Sequence, residues 1–183
     1  MRDPVQPFVT TVNTKRQFTC FPVAVLSYII NEREEFLLLA HPQRRGWWEV
    51  PNGGMEAGES LLDCALREAH EEAGPDLRLR PLGVVHAYNF HLDPQVVYMF
   101  SIGYLLAYAG GTVMPGDDMA GSRFAWFGLD DFSRDDVHVV VPPDGKYMFR
   151  RARDLYRLWR DCDDDLQPSL HESLNKYTLQ EEG

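Results

Sequence analysis

The chain has 183 residues, of which 44% are hydrophobic and 25% are charged, so it is predicted to fold as one domain with modest extensions. Its 28 acidic residues outnumber its 18 basic residues, and the net charge of −10 argues against nucleic acid or an anionic membrane as the partner. A small phosphorylated ligand is compatible with this charge, because it needs only a local basic patch or bound cations.

The N-terminal part of the chain predicts strands. Residues 1–17 are polar and are expected to form an irregular arm or an edge element. Segments 18–30 and 35–42 are rich in β-branched and aromatic residues and are separated by a polar turn, which predicts a hairpin. Residues 43–54 contain Gly and Pro, and predict a loop with a short strand at the sequence WWEV.

The first helix is predicted from Ser60 to Ala73. Ser60 and Asp63 have the spacing of a capping box, and Gly74 followed by Pro75 is a stop signal. At about 100° per residue, one apolar stripe is expected to face the sheet. Its members are Leu62, Leu66, Ala69 and Ala73. The same spacing predicts that three glutamates lie on the far side of the helix.

The segments after this helix predict two long strands, at 77–92 and 96–110, and a short strand at 123–129. Residues 110–122 between them are rich in Gly and Asp and predict a loop. Strands interleaved with helices indicate a mixed α/β domain.

The second helix is predicted from Lys146 to Cys162. Its expected apolar stripe consists of Met148, Ala152, Leu155 and Trp159. Five arginines lie off that stripe and are expected on a solvated face: Arg150, Arg151, Arg153, Arg157 and Arg160. The acidic residues 163–183 are predicted to be a tail, either mobile or packed on a partner chain.

The three cysteines indicate the redox environment in which the protein functions. Cys20, Cys64 and Cys162 are far apart and lack the spacing of metal ligands, which favours reduced thiols. The N-terminal residues have no apolar core of signal-peptide length, and the longest apolar runs are too short to cross a bilayer. A soluble, cytoplasmic protein is therefore expected.

The three glutamates of the first helix, Glu68, Glu71 and Glu72, are neighbours at i, i+3 and i+4. Like charges at these spacings cost about 0.2–0.5 kcal/mol per pair in an isolated helix. One interpretation is a solvated acidic face. The other is a divalent-cation site, because Mg²⁺ binds a few carboxylates together with waters and substrate phosphates.

The surrounding motif favours the second interpretation. The stretch GGMEAGESLLDCALREAHEEAG, residues 53–74, resembles the Nudix box, G-x5-E-x7-R-E-U-x-E-E-x-G-U, where U is a bulky apolar residue. At average amino-acid usage, its seven fixed positions would match by chance about once in 10⁸ placements. Ala69 is small for a U position, and Pro75 replaces the final apolar residue.

The resemblance implies the fold, the activity and the cofactor. It implies a Nudix-type α/β/α sandwich with a central mixed β-sheet over residues 18–162, and hydrolysis of a diphosphate linkage in a nucleotide or nucleoside diphosphate derivative with Mg²⁺ or Mn²⁺. The implied metal ligands and catalytic residues are Glu68, Glu71 and Glu72, with the carbonyl of Gly53 as a further ligand. Glu59 and Arg67 would form the ion pair that supports the box. Relatives are often homodimers, so a homodimer is an arrangement to test.

The general base is open among several acids. Glu71 or Glu72 would serve within the box, and Asp117 or Asp118 would serve from a later loop, with Asp118 as the named candidate. Relatives often carry a glutamate three residues before the tryptophan of the motif that resembles RFAWF, but Arg123 stands there in this chain.

Substrate-binding residues are predicted only from their side-chain type and not from a motif. Arg45, or its neighbour Arg44, is a candidate for a phosphate contact, although a solvated loop charge is an equal alternative. Candidates for stacking on a nucleobase are Trp47, Trp48, Tyr88, Phe90 and Trp126, although core packing is the ordinary role of such aromatics. The residues typical of ADP-ribose-type and dinucleoside-polyphosphate-type relatives are absent at the usual spacings, so the sequence names no single substrate.

Two further functions compete with hydrolysis. A Nudix-fold sensor that binds a nucleotide without cleaving it is the main alternative, and the complete carboxylate set argues against it. An isomerase of isoprenoid diphosphates shares the fold, but it needs additional cysteine and glutamate machinery that this sequence does not place.

Overall fold

The computed structural model describes residues 8–10, 15–91, 98–140 and 145–162. The predicted acidic tail lies outside these residues, as do most of the residues before 15. Neither helix of the described part is long and apolar enough to cross a membrane.

The described residues form ten strands and two α-helices. The strands are β1 (Phe8–Thr10), β2 (Gln17–Thr19), β3 (Val23–Ile30), β4 (Phe36–Ala40), β5 (Trp47–Glu49), β6 (Asn52–Gly54), β7 (Leu79–Phe90), β8 (Met99–Tyr108), β9 (Phe124–Phe127) and β10 (His138–Val139). The helices are α1 (Leu61–Ala73) and α2 (Gly145–Trp159). Short 3₁₀ turns at Asp117–Met119 and Asp131–Ser133 flank β9.

The main sheet is mixed. Its order is β10-β5-β4-β3-β8-β7, while β6 also pairs with β3 and β9 also pairs with β4. The β3–β8 and β10–β5 pairs are parallel, and the other pairs are antiparallel. Strand β3 lies in the middle of the sheet, and its last six residues are buried, as expected for a strand covered on both faces.

A helix covers each face of this sheet. Alternate residues of β3 point to opposite sides: Ile29 packs with Ala69 and Ala73 of α1, while Tyr28 packs with Phe149 of α2. The α/β/α sandwich predicted from the resemblance is therefore confirmed.

The ends of α1 follow the sequence signals. Ser60 accepts a hydrogen bond from the Asp63 amide, and the Asp63 side chain in turn accepts one from the Ser60 amide, so the capping box is present. The helix ends before Gly74, whose φ of +142° is strained for other residues. A Cβ atom at Gly74 would also lie 2.6 Å from the carbonyl oxygen of Thr112.

The predicted buried face of α1 is wrong by part of a turn. The buried residues are Cys64, Ala65, Glu68, Ala69, Glu72 and Ala73. Leu62 and Leu66 are only partly buried, at the margin of that face. Two of the three glutamates therefore lie against the sheet rather than on the far side of the helix. The sequence pattern misplaced them because it treated every carboxylate as solvent-facing.

The stripe predicted for α2 is also rotated. Phe149, Ala152 and Tyr156 are the buried residues, whereas Trp159 is exposed. Four of the five arginines are exposed, as expected, and Arg153 is partly buried. Arg157 does more than contact solvent, because its guanidinium binds the carboxylate of Glu34.

The remaining differences concern short strands. Residues 1–17, predicted as an irregular arm or an edge element, include β1, which pairs antiparallel with β2. The loop predicted before α1 contains β6, which pairs with β3 through Asn52, Gly53 and Gly54. The two-residue strand β10 was not predicted, because it is too short to show an alternating pattern.

Candidate active site

The carboxylate of Glu68 lies directly against the backbone of Gly53. A Cβ atom at Gly53 would lie 2.0 Å from both Cδ and Oε1 of Glu68. Any larger residue at this position would therefore have to displace the Glu68 carboxylate. The predicted metal ligands Glu68 and Gly53 are therefore neighbours in the fold.

Glu72 is the more deeply enclosed carboxylate, with 7% of its surface exposed. Its Oε2 accepts a 2.8 Å hydrogen bond from the backbone amide of Asn52. Burial, together with the nearby charges of Glu49, Glu68 and Asp118, raises the pKa of Glu72 to about 8 despite this hydrogen bond. Burial likewise raises the pKa of Glu68. These carboxylates lie in a place that disfavours their negative charge.

Arg67 connects the box loop to α1. Its Nε and Nη2 donate to the two oxygens of Glu59 at 3.0 and 2.9 Å, so the ion pair predicted from the resemblance is present. Its Nη2 also donates to the carbonyl of Gly54 at 3.1 Å. Its Nη1 donates to Glu68 at 2.8 Å and to Glu71 at 2.9 Å. One guanidinium thus compensates three carboxylates, and it holds the pKa of Glu59 at about 2.

The connection between β8 and β9 is fastened to the end of α1. The amides of Met114 and Gly116 donate to the carbonyls of Ala73 and Glu72, at 2.7 and 3.1 Å. A Cβ atom at Gly116 would lie 2.7 Å from the carbonyl oxygen of Glu71. These contacts bring the following 3₁₀ turn, with the exposed base candidates Asp117 and Asp118, close to the carboxylates of α1.

The donor set fits a hard divalent cation in its chemistry. All its members are oxygen ligands, and the enclosed carboxylates of Glu68 and Glu72 lack enough nearby positive charge. Within the described ranges, however, no three Asp, Glu, His or Cys side chains already form a metal-binding cluster. Arg67 holds Glu68 and Glu71, while Glu72 is held by Asn52, so the carboxylates do not converge on one point.

Comparison with known proteins gives the family. The family model of the NUDIX domain matches residues 21–150. The chain belongs to the Nudix family.

The relatives of this Nudix chain differ in length and in the activities their names give. It is 32% identical over 126 residues to the NAD-capped RNA hydrolase NudC of Vibrio parahaemolyticus, covering 66% of this chain and 42% of that protein. It is 39% identical over 61 residues to the mouse 8-oxo-dGDP phosphatase NUDT18, covering 32% of this chain and 18% of that protein. The chain thus spans less than half the length of these two curated relatives.

Among solved structures, the crystal structure of a MutT protein from Methanosarcina mazei Go1 has a similar fold. The TM-score is 0.57 at 24% identity, over 73% of this chain and 94% of that one. This likeness supports the Nudix fold.

The aromatic residues predicted to stack on a nucleobase lie in different parts of the Nudix domain. Tyr88 packs against His86 at 4.9 Å between ring centroids, and His86 packs against Tyr28 on the α2 side of the sheet. Phe90 adjoins Tyr88. The structure thus associates these two candidates with the face opposite α1. Trp126 packs on Tyr108, and both rings contact the core cluster that lies between α1 and the sheet.

Arg45, Trp47 and Trp48 share one surface depression with Arg123. Glu49 follows Trp48 in β5 and is not among the residues that line this depression. Burial raises the pKa of Glu49, and its charge acts on Glu72. The sequence reasoning missed Glu49, although an acid directly before the box loop was a usable signal.

Cys64 has a structural setting. Its side chain is fully buried beside Arg67, at 3.7 Å from Nη2. Burial and the charge of Glu59 raise the pKa of the thiol to about 12, so it stays protonated near neutral pH. This setting does not suit a nucleophile or an acid–base residue.

Proposed function

We propose that the protein is a Mg²⁺-dependent hydrolase of the diphosphate linkage in a nucleotide or a nucleoside diphosphate derivative. Membership of the Nudix family and the similarity to relatives named as hydrolases and phosphatases support this function. Mg²⁺ or Mn²⁺ would be held by Glu68, Glu71, Glu72 and the carbonyl of Gly53.

One observation carries the proposal: two carboxylates are enclosed between α1 and β6 without matching positive charge. Glu68 shares Arg67 with two other carboxylates. Among the described residues, no basic side chain lies within 4.0 Å of the Glu72 carboxylate, and its hydrogen-bond donor is a neutral amide. A bound divalent cation would supply the missing charge and favour the ionised carboxylates.

The chain's own residues would prepare the reaction. The Asn52 amide orients Glu72, and the Glu59–Arg67 pair holds the loop that presents Gly53. When bound, the cation would neutralise phosphate oxygens and lower the pKa of a coordinated water. A carboxylate oxygen of Asp118 would accept a proton from the attacking water.

The test is a hydrolysis assay over a substrate panel. The panel contains ADP-ribose, nucleoside diphosphate sugars, dinucleoside polyphosphates and nucleoside triphosphates, each with Mg²⁺ or Mn²⁺. Glu71→Gln and Glu72→Gln should each lower kcat by about 100-fold or more, because metal-site changes of this kind have large effects. Glu32→Gln is the matched control, because Glu32 is exposed and outside the box. Full activity in both box variants would reject the metal assignment.

A nucleotide sensor without catalysis remains the second candidate. The observation that favours it is the contact of Arg67 with both Glu68 and Glu71, which occupies two of the proposed metal ligands. Thermal melting of the same panel separates the two functions. A ligand that raises the Tm without any product would support the sensor, and turnover that Glu72→Gln abolishes would support the hydrolase.

A further inference from the structure

Asn52 contacts two carboxylates that come from different parts of the chain. Its backbone amide donates to Oε2 of Glu72 at 2.8 Å. Its side-chain Nδ2 contacts Oε2 of Glu49 at 3.5 Å and donates to the carbonyl of Val50 at 2.9 Å. One residue therefore connects Glu49, at the end of β5, with Glu72 of α1.

The turn that carries Asn52 is held by the middle strand of the sheet. Asn52 pairs with Leu26 of β3, and the amide of Ser27 donates to the carbonyl of Pro51 at 2.8 Å. Val50 is buried in the core, with 1% of its surface exposed. Because the backbone is fixed at these points, the hydrogen bond to Val50 also fixes the direction of the Asn52 side chain.

Glu49 lies on the face of the sheet that carries α1. It pairs with Leu39 of β4, and directly opposed residues on neighbouring strands share one face. Leu39 packs with Ala69 and Ala73 of α1. The Glu49 side chain is therefore on the same side of the sheet as Glu72, and its negative charge acts on Glu72.

The carboxylates of Glu49 and Glu72 lack a nearby cation. Within the described part of the chain, no Lys, Arg or His nitrogen lies within 4.0 Å of the oxygens of either group. Asn52 provides only neutral donors. Neutral amides orient a carboxylate without cancelling its charge, so two like charges held by one residue favour the uptake of a cation.

We infer that Asn52 is a positioning residue of the metal site, and that it holds Glu49 near Glu72 so that both charges attract the same divalent cation. The inference rests on the proposed function for the identity of the ion and for the role of Glu72 as a ligand. It adds Glu49 as an acid that strengthens cation binding. It also gives the Asn52 side chain a role beyond the stability of its turn.

Mn²⁺ binding in the absence of substrate tests this role. The native protein and its variants are titrated with Mn²⁺, and the free ion is measured by electron paramagnetic resonance. Asn52→Ala removes the side-chain amide but keeps the backbone amide that binds Glu72. It should raise the Kd for Mn²⁺ by about tenfold, as is typical when a partner of a metal ligand is lost. Glu49→Gln should raise this Kd by a similar factor.

Asn31 provides a matched control in a different turn. Its Nδ2 donates to Oε2 of Glu35 at 2.9 Å, and its Oδ1 accepts hydrogen bonds from the amides of Arg33 and Glu35. Asn31→Ala should lower the Tm, because these local hydrogen bonds are lost, but it should bind Mn²⁺ as the native chain does. If Asn52 only stabilised its turn, Asn52→Ala would behave in the same way.

A double-mutant cycle shows whether Asn52 acts through Glu49. If it does, Asn52→Ala should have little further effect on the Kd for Mn²⁺ in a chain that already carries Glu49→Gln, since residues in one network are not additive. Fully additive effects would show that the two residues act independently, and they would overturn the proposed connection.

Hydrolysis of a substrate from the panel adds a kinetic measurement. The Mg²⁺ concentration that gives the half-maximal rate should rise by about tenfold in Asn52→Ala and in Glu49→Gln. The KM for the nucleotide at saturating Mg²⁺ should stay within about twofold of the native value, because neither change removes a contact with the nucleotide. An increase in this KM without a change in the Mg²⁺ dependence would overturn the inference.

The outcomes separate the inference from the proposed function. If the native chain, Asn52→Ala and Glu49→Gln bind Mn²⁺ equally, the inference is overturned and the hydrolase function is unaffected. If both variants weaken Mn²⁺ binding but nothing in the panel is hydrolysed, the inference stands and the hydrolase function fails. A native chain that takes up no Mn²⁺ would overturn both.

Discussion

Gly53 and Glu68 fit together only because Gly53 has no side chain. A Cβ atom at Gly53 would lie 2.0 Å from Cδ of Glu68, whereas a Cβ atom at the next residue, Gly54, would meet nothing within 4 Å. The box glycine thus allows α1 to place a carboxylate against the backbone of β6.

Gly53→Ala should displace the Glu68 carboxylate and lower kcat by about 100-fold. Metal-assisted hydrolysis depends on the exact position of the metal ligands and of the residues that orient them. Steady-state kinetics and a Mn²⁺ titration by calorimetry measure the effect. Gly54→Ala is the matched control and should stay within about twofold of the native rate, since its new methyl group has space. Native kinetics in Gly53→Ala would contradict the proposed role of this contact.

The Glu59–Arg67 pair should contribute more to stability than an exposed pair of similar geometry. Side-chain exposure is 26% for Arg67 and 15% for Glu59. Glu59→Gln should lower the free energy of unfolding by about 1–3 kcal/mol, because a partly buried charged hydrogen bond is lost. The Arg134–Asp136 pair is the comparison, since Arg134 also donates through two nitrogens but is exposed. Asp136→Asn should leave the Tm nearly unchanged. Equal effects in urea unfolding would refute the structural role of Glu59.

Asp118 is the proposed base, and its neighbour provides the control. Asp118→Asn should lower kcat by about 100-fold or more, with little change in metal binding, because general-base assistance is lost. Asp117→Asn should keep most activity. Asp117 has a φ of +44°, and asparagine tolerates this left-handed conformation well. A larger effect at Asp117 than at Asp118, measured by the kcat profile against pH, would reassign the base.

His86 should make the protein less stable in mild acid. It is buried, and among the described residues its Nε2 has no hydrogen-bond partner. Burial, together with the charge of Arg151, lowers its pKa from 6.5 to about 4. In the unfolded chain His86 binds a proton below about pH 6.5, so its contribution to stability is lost as the pH falls from there through about 4.

His86→Gln should reduce this acid-induced loss by up to about 3 kcal/mol, because each pKa unit corresponds to about 1.4 kcal/mol. Urea unfolding at several pH values between about 7 and 4 measures the slope for both proteins. The exposed His138 supplies the control, and His138→Gln should retain the native slope. An unchanged slope in His86→Gln would show that His86 has no such effect.

The sequence was sufficient for the two helices, the longer strands and the fold class, but not for the shortest strands or for which helix faces are buried. Capping at Ser60 and termination at Gly74 depend on local backbone preferences, and both were predicted. The enclosed positions of Glu68 and Glu72 were not, because hydrophobic patterning assigns carboxylates to solvent. Only the approach of β6 to α1, a contact between distant parts of the chain, places these residues inside.

The substrate side was less predictable for a similar reason. Arg45 and Trp48 were named from their chemistry, but their proximity to Arg123 depends on the pairing of β4 with β9. Tyr88 was named on the same grounds but packs beside His86, outside the depression that those residues share. Residue type alone does not distinguish these cases, because each depends on long-range strand pairing.

The β8–β9 connection and the β4–β5 turn differ in how strongly α1 depends on them. The connection after β8 supplies the amides that complete the end of α1, so its replacement would unsettle the helix along with Asp118. The turn between β4 and β5 closes mainly on itself through His41, Arg44 and Trp47. Exchange of that turn should therefore leave the helix that carries the carboxylates in place, whereas exchange of the β8–β9 connection would not.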